Sequence, residues 1–184
     1  LFEQPKEQQV IEGMSIAFSE EDICYLSAGT EVSAEELLEE IRELSGGQTK
    51  VSVMDLKETL KTLPLPENDR YFDASVAAYL LNPLKDTYDY DDLARDYLGY
   101  PYEDLAKDYA GLMIPSKTDL LGKESPVKAK QAKPEAFLKY ICYMAYIPWK
   151  TRDRLLEELN NTGMQTLYDT IELPLVYTLS DMEK

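Results

Sequence analysis

The order of strand-like and helix-like segments in the first third of the chain constrains the fold more than any other feature. Short apolar or alternating runs indicate strands, and apolar residues recurring every three or four positions indicate helices. The predicted elements are two hairpin strands at 10–18 and 22–27, a helix at 33–44, a strand at 50–54 and a helix at 55–63. This β-β-α-β-α order predicts an α/β fold in which helices flank a mixed sheet.

The first predicted helix carries start and stop signals of its own. Ser33 is placed to cap its N-terminus, and Glu36 three residues later completes a capping box. Gly46 and Gly47 follow the last apolar position and are expected to end the helix. These signals predict the helix bounds independently of the apolar periodicity.

From residue 71 onward the pattern is helical and rich in tyrosine. Asp73 is predicted to cap a helix that stops at Asn82, and Asp89 or Tyr90 to open another that Gly99 closes. Pro101 fits the first turn of a further helix. The remaining predicted helices span 134–147, 151–161 and 164–184.

The last predicted helix has an apolar stripe and an internal proline. Its stripe consists of Leu167, Ile171, Leu175 and Leu179. Pro174 lies within the segment, so a kink or a break is expected there. No stop signal follows, and we therefore expect the sequence to continue in a longer protein.

Charge and the absence of histidine exclude several classes of function. The chain has 35 acidic and 19 basic residues, a net charge of −16, and no histidine. Such a chain repels phosphate backbones, so we expect weak or no DNA binding by this part alone. Without histidine, Ser-His and Cys-His dyads and histidine-ligated metals are excluded. Any catalysis would have to use carboxylates.

The cysteines and the apolar runs bear on location. Cys24 and Cys142 lie far apart and form no Cys-x-x-Cys pair, which predicts buried free thiols in a reducing cytoplasm. No apolar run approaches the 18 or so residues that span a bilayer, so no membrane association is expected.

The segment 112–133 concentrates positive charge in an otherwise acidic chain. It is predicted to be a long surface loop, either simply solvated or in contact with phosphate groups. The candidate phosphate contacts are Lys117, Lys123, Lys128, Lys130 and Lys133.

Two stretches carry a resemblance to a known family. The sequences are "YFDASVAAYLLNPLKDTYDYDDLARDYLG" at 71–99 and "IELPLVYTLSDMEK" at 171–184. The first is similar to part of the 3′–5′ exonuclease domain of bacterial family A DNA polymerases, the DNA polymerase I type. The second resembles the junction between that domain and the polymerase thumb. The resemblance implies a ribonuclease H-like fold, with an exonuclease-like domain at 1–163 and the start of a connecting helix at 164–184.

Active members of that family hold two divalent metals with four carboxylates, and the resemblance allows each position to be compared. At the first strand, Glu3 fits one position of the Asp-x-Glu pair, which leaves Leu1 or Pro5 at the other. In the "N-x-x-x-D" motif Asp55 stands for the Asn and Thr59 for the Asp. In the "Y-x-x-x-D" motif Tyr140 is retained and Met144 replaces the Asp.

The resemblance therefore implies a retained fold with a degenerate metal site and no bound cofactor. The expected role is a structural module without proofreading in a replication and repair polymerase. Its partner would be the polymerase domain of the same chain. Mg²⁺ would be needed only by that polymerase domain, and DNA would be bound only by the intact enzyme. One alternative is an active exonuclease that uses other acids, namely Glu3, Asp55, Glu58 and Asp153. Another is an unrelated α/β protein-interaction domain.

Overall fold

A computed structural model describes residues 11–63, 65–99 and 126–183. Strands and helices alternate through its first half, which confirms the α/β class. The elements are β1 (Gly13–Ala17), β2 (Ile23–Ser27), α1 (Ala34–Gly46), β3 (Val51–Val53), α2 (Leu56–Thr62), β4 (Tyr71–Asp73), α3 (Ala74–Leu81), α4 (Tyr90–Leu98), α5 (Pro126–Ala132), α6 (Pro134–Asn161), α7 (Gln165–Leu167), a π-helical turn (Tyr168–Glu172) and α8 (Leu173–Glu183). The helix predicted to begin at Pro101 lies outside the described residues.

The described strands form two separate two-stranded sheets, whereas a single mixed sheet was expected. Strands β1 and β2 pair antiparallel, which confirms the predicted hairpin, and β3 pairs with β4 in parallel. The Phe18 N–H donates to the Asp22 carbonyl at 2.9 Å and closes the hairpin turn. Helix α6 contacts β1, β2 and β3, so the two sheets are joined by packing on one helix rather than by hydrogen bonds between them.

The predicted starts of α1, α3 and α4 are confirmed. Ser33 and Glu36 form the capping box of α1, and Asp89 and Asp92 form another at α4. Asp73 caps α3. Gly99 ends α4 with a φ of 73°, a left-handed conformation that glycine adopts without steric cost.

The two helices predicted at 134–147 and 151–161 form one helix, α6, so the predicted interruption is wrong. Pro148 lies inside it and is buried. Proline removes one backbone donor and normally disfavours a helix interior. Here Ile147, Leu155 and Leu159 on the same helix are fully buried. Burial of this apolar face offsets the lost hydrogen bond.

The prediction of a continuous loop at 112–133 is wrong for its last part, which forms α5. Ala129 is buried against Phe137 and Tyr140 of α6. Pro126 opens the helix, a position that proline tolerates. The lysine-rich composition of this segment favoured the prediction of a loop, but burial of the small apolar residue Ala129 holds the segment against α6 as a helix.

The C-terminal segment continues through Pro174 without a break. A π-helical turn immediately precedes it, and π-turns of this kind occur as single-turn bulges within helices. The core side of the segment is formed by Tyr168, Leu173 and Val176. Three of the four residues of the predicted apolar stripe are exposed, namely Ile171, Leu175 and Leu179, to 54%, 41% and 38%.

The main core lies between the β3–β4 sheet and helices α2, α3, α4, α6 and α8. Helix α3 contributes Ala74, Ala77 and Ala78, whose small side chains allow close approach to α6. None of the described helices is both long enough and apolar enough to cross a membrane.

Candidate functional site

A large cleft lies at the carboxyl ends of the parallel strands. Val53 and Asp73 are paired at this edge, and helices α2 and α3 begin just beyond it. In α/β proteins ligands commonly bind at this edge. We call this cavity of about 860 Å³ the strand-end cleft; its lining includes Met54, Asp55, Lys57, Asp73, Ser75, Val76, Tyr79, Asp86, Asp89, Tyr90, Phe137, Tyr140, Met144, Glu172, Leu175 and Leu179.

Asp73 lies at the base of the cleft and caps two helices at once. Its Oδ1 accepts hydrogen bonds from the Ser75 N–H at 2.9 Å, the Ser75 hydroxyl at 2.6 Å and the Val76 N–H at 3.2 Å. Its Oδ2 accepts from the Leu56 N–H at 2.7 Å, at the start of α2. The predicted cap of α3 is confirmed; the second cap, across 17 residues of sequence, was missed because no local signal indicates it.

Burial dominates the electrostatics of Asp73. The residue is 1% exposed, and this burial raises the pKa of the carboxyl above its ordinary value, while the hydrogen bonds it accepts act in the opposite direction. On its backbone, the Asp73 N–H donates to the Tyr168 hydroxyl at 2.8 Å. Asp73 thus connects β4, α2, α3 and the π-helical turn.

Asp55 occupies a special backbone position beside Asp73. Its φ of 51° lies in the left-handed region, which Asn and Asp tolerate better than most residues. Its side chain caps α2 by accepting from the Glu58 N–H at 3.2 Å, and its own N–H donates to the Ser75 hydroxyl at 3.3 Å. Its carboxylate is exposed at the cleft.

The structure brings together Thr59 and Met144, the two described residues that the resemblance assigns to metal-ligand positions. Thr59 and Met144 line one cavity of about 390 Å³, which we call the hairpin cavity, because Gly13, Ser15 and Tyr25 of the hairpin form part of its wall. Met144 and Tyr140 also line the strand-end cleft. Glu3, with Leu1 and Pro5, lies outside the described residues.

The side chains at these positions do not fit a divalent metal. Mg²⁺ and Mn²⁺ bind through carboxylate, carbonyl and water oxygens. Thr59 offers a hydroxyl that already donates to the Asp55 carbonyl at 3.2 Å, and Met144 offers a thioether. Neither supplies an anionic oxygen.

The three described acids of the alternative ligand set have other positions or partners. Asp55 caps α2, Glu58 pairs with Lys61 on the next turn, and Asp153 is exposed on α6. Among the residues that the structure describes, no three Cys, Asp or Glu side chains form a group that could hold a metal ion.

Tyrosines and carboxylates meet where α4 packs against α6. The Tyr143 hydroxyl donates to Asp91 at 3.3 Å. Burial and the charge of Asp89 raise the pKa of Asp91, and burial together with these two acids raises the pKa of Tyr140 to about 12. The sequence placed these groups on helices but did not indicate that they would be neighbours.

The candidate phosphate contacts divide into two groups in the structure. Lys128 and Lys133 are exposed, whereas Lys130 binds the hairpin. Its ammonium donates to the Ser27 hydroxyl at 2.7 Å, lies 3.9 Å from Glu12 and stands 5.7 Å from the centre of the Tyr25 ring. Lys117 and Lys123 lie outside the described residues.

The sequence was also compared with models of known protein families and with curated proteins. Neither comparison gave a match. Function is therefore inferred from the residues themselves, from their geometry and from the resemblance of the stretches at 71–99 and 171–184.

Proposed function

We propose that this chain is the 3′–5′ exonuclease-like domain of a bacterial family A DNA polymerase, with a ribonuclease H-like core whose metal-binding carboxylates have been lost. In this proposal it acts in the cytoplasm as a structural module of a replication and repair polymerase. It positions the polymerase domain of the same chain and does not proofread.

The proposal is carried by the placement of Thr59 and Met144. These residues are 85 positions apart in the sequence, and the resemblance independently assigns both to metal-binding positions. Both line the hairpin cavity. Convergence of the two positions on one cavity is the arrangement that a former two-metal site requires.

The conformation of Asp55 supports the same alignment. The resemblance places it where active members have asparagine. Its left-handed backbone and its cap on α2 are roles that Asn and Asp share, since both tolerate φ > 0 and both accept hydrogen bonds at helix N-termini. Asp at position 55 therefore keeps the left-handed backbone and the helix cap that Asn would provide there.

The chemistry of the cleft argues against a working nuclease. Threonine and methionine cannot replace two carboxylates. These positions therefore lack the anionic oxygens that would hold a metal ion to activate a water molecule. The strand-end cleft also presents Asp55, Asp86, Asp89 and Glu172 to any nucleic acid strand. Phosphates entering it would be repelled, because metal ions would not be there to neutralise the carboxylates.

A nuclease assay tests the proposal. The 184-residue chain, in large excess, is incubated with single-stranded DNA labelled so that loss of 3′ nucleotides is visible, with Mg²⁺ or Mn²⁺ and then with EDTA. We expect no shortening over hours. A ladder of products that EDTA abolishes would contradict the proposal and would support the alternative set of Glu3, Asp55, Glu58 and Asp153.

A further inference from the structure

The strand-end cleft has exposed apolar side chains in its wall. Leu175 and Leu179 of α8 belong to the lining, with 41% and 38% of their surfaces exposed. Tyr79 of α3, 46% exposed, also belongs to it, and its ring packs edge-on against Tyr88. Large apolar side chains grouped along a cleft are typical of a binding surface rather than of isolated exposure.

The rim of the same cleft is strongly negative. Its accessible carboxylates among the described residues are Asp55, Asp86, Asp89 and Glu172, and the described part of the lining has one basic residue, Lys57. Lys57 is already paired with Glu183 at 3.1 Å. The net charge of −16 adds to this local field. A cationic ligand is therefore attracted, whereas nucleic acid and anionic membranes are repelled.

We propose that the strand-end cleft binds a basic amphipathic helix of a partner protein. In this mode the apolar face of a helix enters a groove, and its flanking charges contact the rim. Leu175, Leu179 and Tyr79 contact the apolar face, while Asp86 and Glu172 pair with Lys or Arg side chains. Met54 and Met144 in the lining have flexible side chains that adapt to different occupants.

This inference does not depend on the exonuclease-like ancestry of the domain. A second copy of the chain is disfavoured as the occupant, because each copy carries the same net charge of −16. A nucleic acid is disfavoured by the carboxylates themselves. A cationic helix satisfies both the apolar walls and the acidic rim.

The test measures binding of a synthetic probe to the 184-residue chain. The probe is a fluorescein-labelled helical peptide of Leu and Lys, with Leu on one face; a matched peptide has Glu in place of every Lys. We expect fluorescence anisotropy to show saturable binding of the Lys peptide and none of the Glu peptide. The double variant L175S/L179S should weaken binding about tenfold, which corresponds to about 1.4 kcal/mol.

Two matched controls separate the cleft from general attraction to an acidic protein. I171S/M182S alters exposed side chains of the same C-terminal segment that do not line the cleft. D153N/E157Q removes two exposed charges from α6 and is the control for the rim variant D86N/E172Q, which removes two charges from the cleft. We expect both controls, I171S/M182S and D153N/E157Q, to bind within about twofold of the original chain. The rim variant D86N/E172Q should bind about tenfold more weakly.

Several results would overturn the proposal. These are no binding of the Lys peptide, equal binding of the Glu peptide, or equal weakening by rim and off-cleft charge variants. Sedimentation that showed a dimer of the original chain and a monomer of L175S/L179S would assign the cleft to a second copy instead. Circular dichroism confirms folding of each variant, and the rim variant retains a test if the serine variant fails to fold.

Discussion

Replacing Asp73 with alanine should destabilise the fold more than removal of an ordinary helix cap. The carboxylate is 1% exposed and accepts hydrogen bonds from three backbone N–H groups and one hydroxyl. Alanine leaves the Leu56 N–H buried without its acceptor, which costs about 2 kcal/mol. It also removes the cap of α3, which costs about 1 kcal/mol. We therefore expect a loss of roughly 3 kcal/mol in the free energy of unfolding.

The conservative variant Asp73→Asn separates hydrogen bonding from volume. Asparagine keeps the shape of the side chain and one acceptor oxygen, but its amide nitrogen must face an N–H group on one side. We expect it to cost about 1–2 kcal/mol, between the wild type and alanine. A loss of this size is a substantial part of the 5–15 kcal/mol typical of a folded domain.

Urea unfolding followed by circular dichroism measures these differences. Asp89→Ala is the matched control, because Asp89 is an exposed cap of α4 that accepts from the Asp92 N–H at 2.9 Å. Its expected cost is about 1 kcal/mol. If Asp73→Ala cost no more than Asp89→Ala at an unchanged denaturant slope, the reasoning about a shared cap would be refuted.

Three further predictions follow from single contacts. Tyr168→Phe leaves the Asp73 N–H without an acceptor and should cost about 1–3 kcal/mol in urea unfolding, whereas Tyr79→Phe, at an exposed site, should stay within about 0.5 kcal/mol. Gly163→Ala should cost about 1 kcal/mol by the same assay, because residue 163 has a φ of 72° after the end of α6; an unchanged midpoint would contradict this. Burial acts to raise the pKa of Asp92, but hydrogen bonds from Thr87 and Arg95 and the charge of Lys85 lower it to about 2, from an ordinary 3.8. Because this carboxyl has a lowered pKa in the folded state, its contribution to stability is present above about pH 3.8 and is lost as the pH falls towards 2. In urea unfolding at a series of pH values, Asp92→Asn should therefore reduce the fall in the free energy of unfolding over this pH range.

The elements that could be predicted from the sequence are those with local signals. Ser33 and Glu36 define the start of α1, and alternating residues define the hairpin. The errors lie where tertiary burial overrides a local rule. Pro148 remains within α6 because the neighbouring apolar face is buried, and Ala129 anchors a helix in a lysine-rich segment.

In the strand-end cleft, too, contacts between residues adjacent in the sequence could be predicted, whereas contacts between distant residues could not. The cap of α3 by Asp73 could be read from adjacent residues, but its bond to the Leu56 N–H joins two helices across a parallel strand pair. The exposure of Leu175 and Leu179 was also unpredictable, because an apolar stripe does not state which side of a helix the core occupies. The π-helical turn before α8 changes the angular position of the residues that follow it.

The most direct test of the account restores carboxylates at the two positions that converge in the hairpin cavity. T59D/M144D should bind Mn²⁺ in calorimetry with a dissociation constant of about 1 mM or tighter, because two inserted carboxylates would face one cavity. T59D/L138D adds the same two charges but places one of them at an exposed site on α6, and it should bind much more weakly. Equal Mn²⁺ binding by the two folded variants, or none by either, would contradict the claim that Thr59 and Met144 occupy the positions of lost metal ligands.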